Sequence, residues 1–78
     1  MILQLRYFGM IAEAIEKEAE SFDFSDTTIE ELNTALKNSY PQLKKLNYSF
    51  AINQTISNKN ETLKPNDEIA LLPPFAGG

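Results

Sequence analysis

The stretch that most limits the fold is Glu68-Ile69-Ala70-Leu71-Leu72, followed at once by Pro73-Pro74. Four apolar residues in a row leave no polar face, which places this segment at the centre of a sheet. Pro73 has no N–H to offer a neighbouring strand, so pairing must stop there. The two prolines hold φ near about −65° and make the chain leave stiff and extended. Behind them come only Phe75, Ala76, Gly77 and Gly78. The chain has 3 Gly in all, and two of them are its final two residues. Its last six residues therefore combine a rigid root, one large apolar side chain and a tip without side chains. Such a tip can pass down a channel too narrow for any other residue. Six residues at full extension reach at most ~20 Å.

The 78 residues make one domain. The core is modest, since roughly 60–65% of the unfolded surface can be buried at this length. With no Cys, no disulfide helps; 42% hydrophobic residues and 5 Phe must suffice. The missing Cys fits a reducing compartment. Met1 to Arg6 offers neither a basic start nor a long apolar run, so neither a signal peptide nor a membrane span is expected. The expected location is the cytoplasm.

Absent residue types narrow the chemistry. Without His or Cys there is no His-based triad, no thiolate nucleophile and no ordinary zinc site, so no metal is expected. Gly9 stands alone before the tail, which leaves no Gly-rich phosphate loop. A net charge of −4 argues against nucleic acid as a partner. Catalysis within the chain would have to rest on carboxylates, Lys or Tyr, so an accessory role is favoured. The charges are unevenly spread. Glu13 to Glu31 holds eight acidic residues and one Lys, whereas Leu32 to Asn60 holds four Lys and no acid. The plain reading is a solvated face; the alternative is an acidic surface that steers a basic partner.

Taken in order, Met1 to Phe8 alternates as a strand with Leu3, Leu5 and Tyr7 on one face. Gly9 breaks it, and Met10 to Lys17 is rich in helix formers, with Ile11, Ala14 and Ile15 on one side. Ser21 to Phe24 alternates again, with Phe22 and Phe24 inward. Thr28 and Glu31 form a capping box for the main helix, about Ile29 to Tyr40, which Pro41 ends. Leu43 and Leu46 belong to a short packed turn. Tyr48 to Asn53 is a third strand, and Thr55 to Ser57 a minor one between turns. The Asn-rich stretch from Asn53 to Thr62 says little. Lys64 to Asp67 is a tight turn into the last strand, Glu68 to Leu72. First and last strands that both look buried are expected side by side, with the long helix over one face.

At this point the residues resemble a known family. Tyr7-Phe8-Gly9 with Ala12-Glu13, Thr28 to Leu32, Tyr40-Pro41-Gln42-Leu43 and Phe50-Ala51-Ile52-Asn53 are its weaker marks. Asn66 to Gly78 carries the likeness most strongly, and its stretch from Asp67 onward is specific. Together they resemble the small, sulfur-carrying subunit of molybdopterin synthase, and the likeness covers essentially the whole chain. It implies an α+β fold: a β-grasp, ubiquitin-like mixed sheet packed against one main helix. Residues 1–72 would be that domain and residues 73–78 an extended Gly-Gly tail. Where this family often has Gly before the Asp-Glu of the last turn, Asn66 stands here. Asn tolerates a left-handed φ, so the turn can survive.

The resemblance also implies a mechanism. A ubiquitin-activating-type adenylyltransferase uses ATP to adenylate the terminal carboxylate, and a sulfur donor displaces AMP. The resulting thiocarboxylate would sit on Gly78, so no cofactor is bound beyond this covalent sulfur. The tail then enters the large, catalytic synthase subunit and gives up its sulfur to a pterin precursor. Two deliveries build the dithiolene that ligates molybdenum. The chain would thus be a non-catalytic, sulfur-donating subunit. Pro73, Pro74, Phe75, Ala76 and Gly77 would be the partner-binding tail. Pre-extended prolines have less entropy to lose on docking. Phe75 is either an anchor, with burial worth about 1.5–3 kcal/mol, or a core residue folded back on the sheet. The rival readings are a sulfur carrier for thiamine thiazole synthesis and a ubiquitin-like protein modifier. The Leu-Leu-Pro-Pro-Phe run favours molybdopterin over thiazole, because the thiazole carriers usually lack the Pro pair.

Overall fold

Alternating side chains in Ile2–Tyr7 build strand β1, and a computed structural model of the chain, describing residues 1–57 and 60–74, shows what it pairs with. The elements that follow are α1 (Gly9–Ile15), β2 (Ala19–Asp23) and α2 (Ile29–Ser39). A short 3-10 helix covers Pro41–Lys45, and β3 (Ser49–Ile52), β4 (Thr55–Ile56) and β5 (Glu68–Leu72) complete the chain. The strands form one sheet in the order β2-β1-β5-β3-β4. β1 runs parallel to β5, with Leu5 opposite Ile69 and Tyr7 opposite Leu71. Every other pairing is antiparallel. The first and last strands are therefore neighbours, and β5 is the middle strand, as expected from its composition.

Alternation decides the faces. Leu3, Leu5 and Tyr7 of β1, Ile69 and Leu71 of β5, and Phe50 and Ile52 of β3 are buried. They form one cluster with Ile29, Leu32 and Leu36 of α2, Ile11 and Ile15 of α1, and Leu43. This is the expected β-grasp, a mixed sheet gripping one main helix, with α1 and the 3-10 helix closing the core at its margins.

The local signals explain the boundaries. The Thr28 hydroxyl accepts from the Glu31 N–H at 3.2 Å, and the Glu31 carboxylate accepts from the Thr28 N–H at 3.0 Å. Both halves of the capping box are present, so α2 starts at the expected residue. It ends at Ser39, and Pro41 then opens the 3-10 helix, because proline suits a first helical turn but not an interior one. Asn53 and Gln54 both have positive φ (49° and 74°), as a two-residue hairpin turn needs. Asn66 is left-handed at φ 68°, so it does fill the place where glycine is common in the resembled family.

Most strand and helix ends fall within a residue or two of the sequence reading, and the larger differences have local causes. α1 begins at Gly9 and ends at Ile15, where Glu16 turns left-handed and its N–H closes on the Ala12 carbonyl. β2 begins at Ala19 and not Ser21, because Arg6 and Leu5 supply partners for Ala19 and Glu20. The end of the Asn-rich stretch also has a place. Ile29 N–H donates to the Glu61 carbonyl and Leu63 N–H to the Thr27 carbonyl, and Leu63 is buried. This segment latches the sheet side of the molecule to the start of α2. Among the described residues no helix is long and apolar enough to cross a membrane.

Candidate functional site

β5 carries the chain straight from the core to the surface. Leu71 is fully buried and Leu72, paired with Ser49, is half-buried. Pro73 is half-buried outside the sheet, and Pro74 is exposed. The Pro73 ring lies against the backbone of Gly9, where α1 begins. Pairing stops where proline requires it to stop. Phe75, Ala76, Gly77 and Gly78, singled out in the sequence, lie outside the described residues.

The sheet has a second face, which none of the described helices covers. Arg6, Phe8, Ala51, Ile56, Ala70 and Leu72 line a shallow depression there of about 260 Å³. Phe8 is 41% exposed and Ile56 is 56% exposed. The Arg6 guanidinium stands 6.0 Å from the centre of the Phe8 ring and 3.6 Å from a Glu68 carboxylate oxygen, so the apolar strip carries one charged pair at its side. Contiguous exposed apolar surface on a small domain marks a place for another molecule. This strip ends at Leu72, immediately before the root of the tail. Phe8 and Ile56 were missed as site residues from sequence, because periodicity shows which residues alternate but not which face stays open.

A polar cluster stiffens the end of β1. Both Tyr7 and Tyr40 hydroxyls donate to one oxygen of Glu20, at 2.5 and 2.6 Å. The Lys17 ammonium donates to the other oxygen at 3.1 Å and also lies 3.1 Å from the Tyr40 hydroxyl. Burial works to raise the Glu20 pKa, but hydrogen bonds from Tyr40, Tyr7 and Lys17 outweigh it and leave the carboxyl below its ordinary value. Burial and then the Glu20 carboxylate push the Tyr7 phenol far up, so it stays a donor. Glu20 was read as part of a solvated acidic face. It instead joins β1, β2, the turn after α1 and the end of α2. The signal was present: Glu20, Phe22 and Phe24 share one period-2 row.

Among the described residues no group of three or more acidic side chains is placed to hold a metal ion. Nothing described forms an enclosed catalytic cleft either. The distinctive geometry is an apolar sheet face that runs into a proline-stiffened exit.

A β-grasp domain with this exit and a Gly-Gly end is the architecture of the ubiquitin-like sulfur carriers. The chain belongs to the ThiS family, whose model matches residues 5–78. It is 31% identical to a chain from the complex of subunits 1 and 2 of molybdopterin-converting factor from Helicobacter pylori, covering 100% of both chains with a TM-score of 0.71. SAMP1 from Haloferax volcanii shares the fold at 22% identity, with a TM-score of 0.85 over 100% of both chains. So does a chain of the BexX/CysO complex from Amycolatopsis orientalis, at 16% identity, a TM-score of 0.72 and coverage of 97% of this chain and 99% of that one.

Proposed function

We propose that this chain is the sulfur-carrier subunit of a molybdopterin synthase, working in the cytoplasm, and that it holds its sulfur as a thiocarboxylate on Gly78. The observation that carries the pathway is the 31% identity, over the whole chain, to the Helicobacter pylori molybdopterin-converting factor complex. The exit geometry supports the mode of action. A stiff root beside an exposed apolar face lets one partner grip the sheet while the slender end enters its active site.

In this reading a carboxylate oxygen of Gly78 attacks the α-phosphorus of ATP on a separate activating enzyme, and pyrophosphate leaves. A sulfur donor at the oxidation level of hydrosulfide then attacks the carbonyl carbon. The C–S bond forms, the C–O bond to AMP breaks, and a thiocarboxylate remains. On the large subunit its sulfur attacks an oxygen-bearing carbon of the pterin precursor: the new C–S bond forms as that carbon's C–O bond breaks, and the oxygen leaves as phosphate or water. Water then cleaves the acyl C–S bond, leaving the sulfur on the pterin and restoring the carboxylate. The acids, bases and phosphate-binding groups belong to the partners. This chain supplies reach, a thin tip and a docking face. The partner sits over Phe8, Ile56 and Leu72, the face continuous with the tail.

The test is a transfer assay. The chain is charged to the thiocarboxylate and offered to the large synthase subunit with the pterin precursor, and in parallel to a thiazole synthase with its substrates. Dithiolene formed in the first reaction, with no turnover in the second, is the expected result. Turnover with thiazole synthase alone would reassign the pathway. Isopeptide adducts on lysines without either product would make it a modifier. A Phe75→Ala chain is expected to fold normally and bind the large subunit more weakly; unchanged binding would remove Phe75 as an anchor.

A further inference from the structure

We infer that Gly9 is a positioning residue: its bare backbone seats the ring of Pro73 and thereby sets the direction in which the tail leaves the domain. A Cβ added at Gly9 would lie 3.2 Å from Cγ of Pro73, with the ring Cβ and Cδ at 3.7 and 3.9 Å. Gly9 also holds φ at +56°, where an L side chain is strained. The two partners differ in how far they can retreat. Gly9 follows directly on Tyr7 and Phe8, and Tyr7 is held by its pairing opposite Leu71 and by its hydroxyl on Glu20. On its other side α1 is fixed by Ile11 and Ile15 in the core, and Ile11 N–H closes on the Phe8 carbonyl at 3.1 Å. Pro73, by contrast, lies past the last paired residue. Any added atom at position 9 is therefore accommodated by Pro73. A shift of a few tenths of an ångström there reorients the root of the tail, Pro73 and Pro74. Glycine here thus fixes an aim, which is a different task from ending a strand.

The functional consequence rests on the reading that the end of the tail is charged and delivered inside partner sites. Misplacement of a reacting group by ~1 Å can cost up to about a hundredfold in rate, so a smaller tilt is expected to cost roughly tenfold.

The experiment compares Gly9→Ala, Pro73→Ala and the double variant with wild type. The first readout is structural and independent of function: residual dipolar couplings of the backbone of residues 72–78 and of core residues Leu5 and Ile69. Gly9→Ala is expected to change the tail couplings and leave the core values in place. Unchanged tail couplings in a folded Gly9→Ala chain would overturn the inference. If Gly9→Ala does not fold, Pro73→Ala carries the test, since freeing the ring from Gly9 must also reorient the tail; unchanged couplings there would overturn it equally. The second readout is the rate of thiocarboxylate formation with the activating enzyme, ATP and sulfide. Gly9→Ala is expected to lose roughly tenfold, mostly in kcat. Removing the ring in the double variant is expected to return part of that loss. Single effects that simply multiply would overturn the inference. A wild-type chain that is never charged would instead sink the functional reading, and the couplings would still decide the role of Gly9.

Discussion

Leu71 and Leu72 are adjacent in one strand and serve opposite faces of the sheet. Leu71 lies in the core beside Leu5, Tyr7 and Phe50. Leu72 is half-buried on the open face with Phe8, Ala70 and Ile56. The same alternation runs through β1, where Leu3, Leu5 and Tyr7 are buried while Ile2, Gln4 and Arg6 are exposed. One face spends its apolar residues on folding; the other leaves them exposed, where the proposed partner would dock. In a domain of 78 residues, with no helix to spare, half the sheet can be left uncovered only if the other half is packed well. The core cluster on the covered face meets that condition.

Substitutions on neighbouring residues test this division. Leu71→Ala, which empties a fully buried site, is expected to lose about 2–5 kcal/mol of stability in urea unfolding. Leu72→Ala is expected to lose less than about 1.5 kcal/mol, because part of its surface is already wet. Similar losses for both would break the comparison. Phe8→Asp attacks the open face. It is expected to weaken binding to the large synthase subunit by about 2 kcal/mol in calorimetry, as loss of an aromatic hot spot does, with melting temperature little changed. Normal binding would move the docking surface elsewhere.

Glu20→Gln tests the tie at the covered margin. It leaves two tyrosine hydroxyls with a weaker acceptor and Lys17 without its charge partner, for an expected loss of about 1–2 kcal/mol near neutral pH. The pH dependence has a definite sign. The folded Glu20 carboxyl lies below its ordinary value of 4.5, so its contribution is complete above that value and is lost as pH falls through the folded pKa. The gap between wild type and Glu20→Gln should therefore narrow on acidification from neutral pH; a gap that widens would contradict the assignment. The smallest effect is expected from Thr28→Ala, which removes one arm of the capping box, at about 1 kcal/mol in the same unfolding assay.

Much of the fold was legible because its signals are local. The capping box at Thr28 and Glu31, the alternation of Leu3, Leu5 and Tyr7, and the proline stop after Leu72 each act within a few residues. The central place of β5 was also legible, but for a reason that the structure corrects. Four apolar residues in a row suggested cover on both sides; one side is core and the other is the open face. What sequence alone did not show depends on distant partners. Glu20 reads as one acid among eight until Tyr7 and Tyr40 arrive from 13 and 20 residues away. Leu63 sits beside a stretch without pattern and is fixed by Thr27. Gly9 reads as a strand breaker until Pro73 comes to rest on it. The candidate site divides in the same way. Its tail residues Phe75 to Gly78 were singled out from sequence and lie outside the described residues, whereas the sheet face that ends at Leu72 needed the pairing of β1, β5, β3 and β4.

The central claim is that the working group is the main-chain carboxylate of Gly78. The most direct measurement is the intact mass of the chain after incubation with its activating enzyme, ATP and sulfide, beside a synthetic chain ending in Gly78 carboxamide. The account expects wild type to exchange one oxygen for one sulfur, localised to Gly78 by fragmentation, and the carboxamide chain to remain unchanged. Sulfur gained equally by both chains, or by neither, would contradict it.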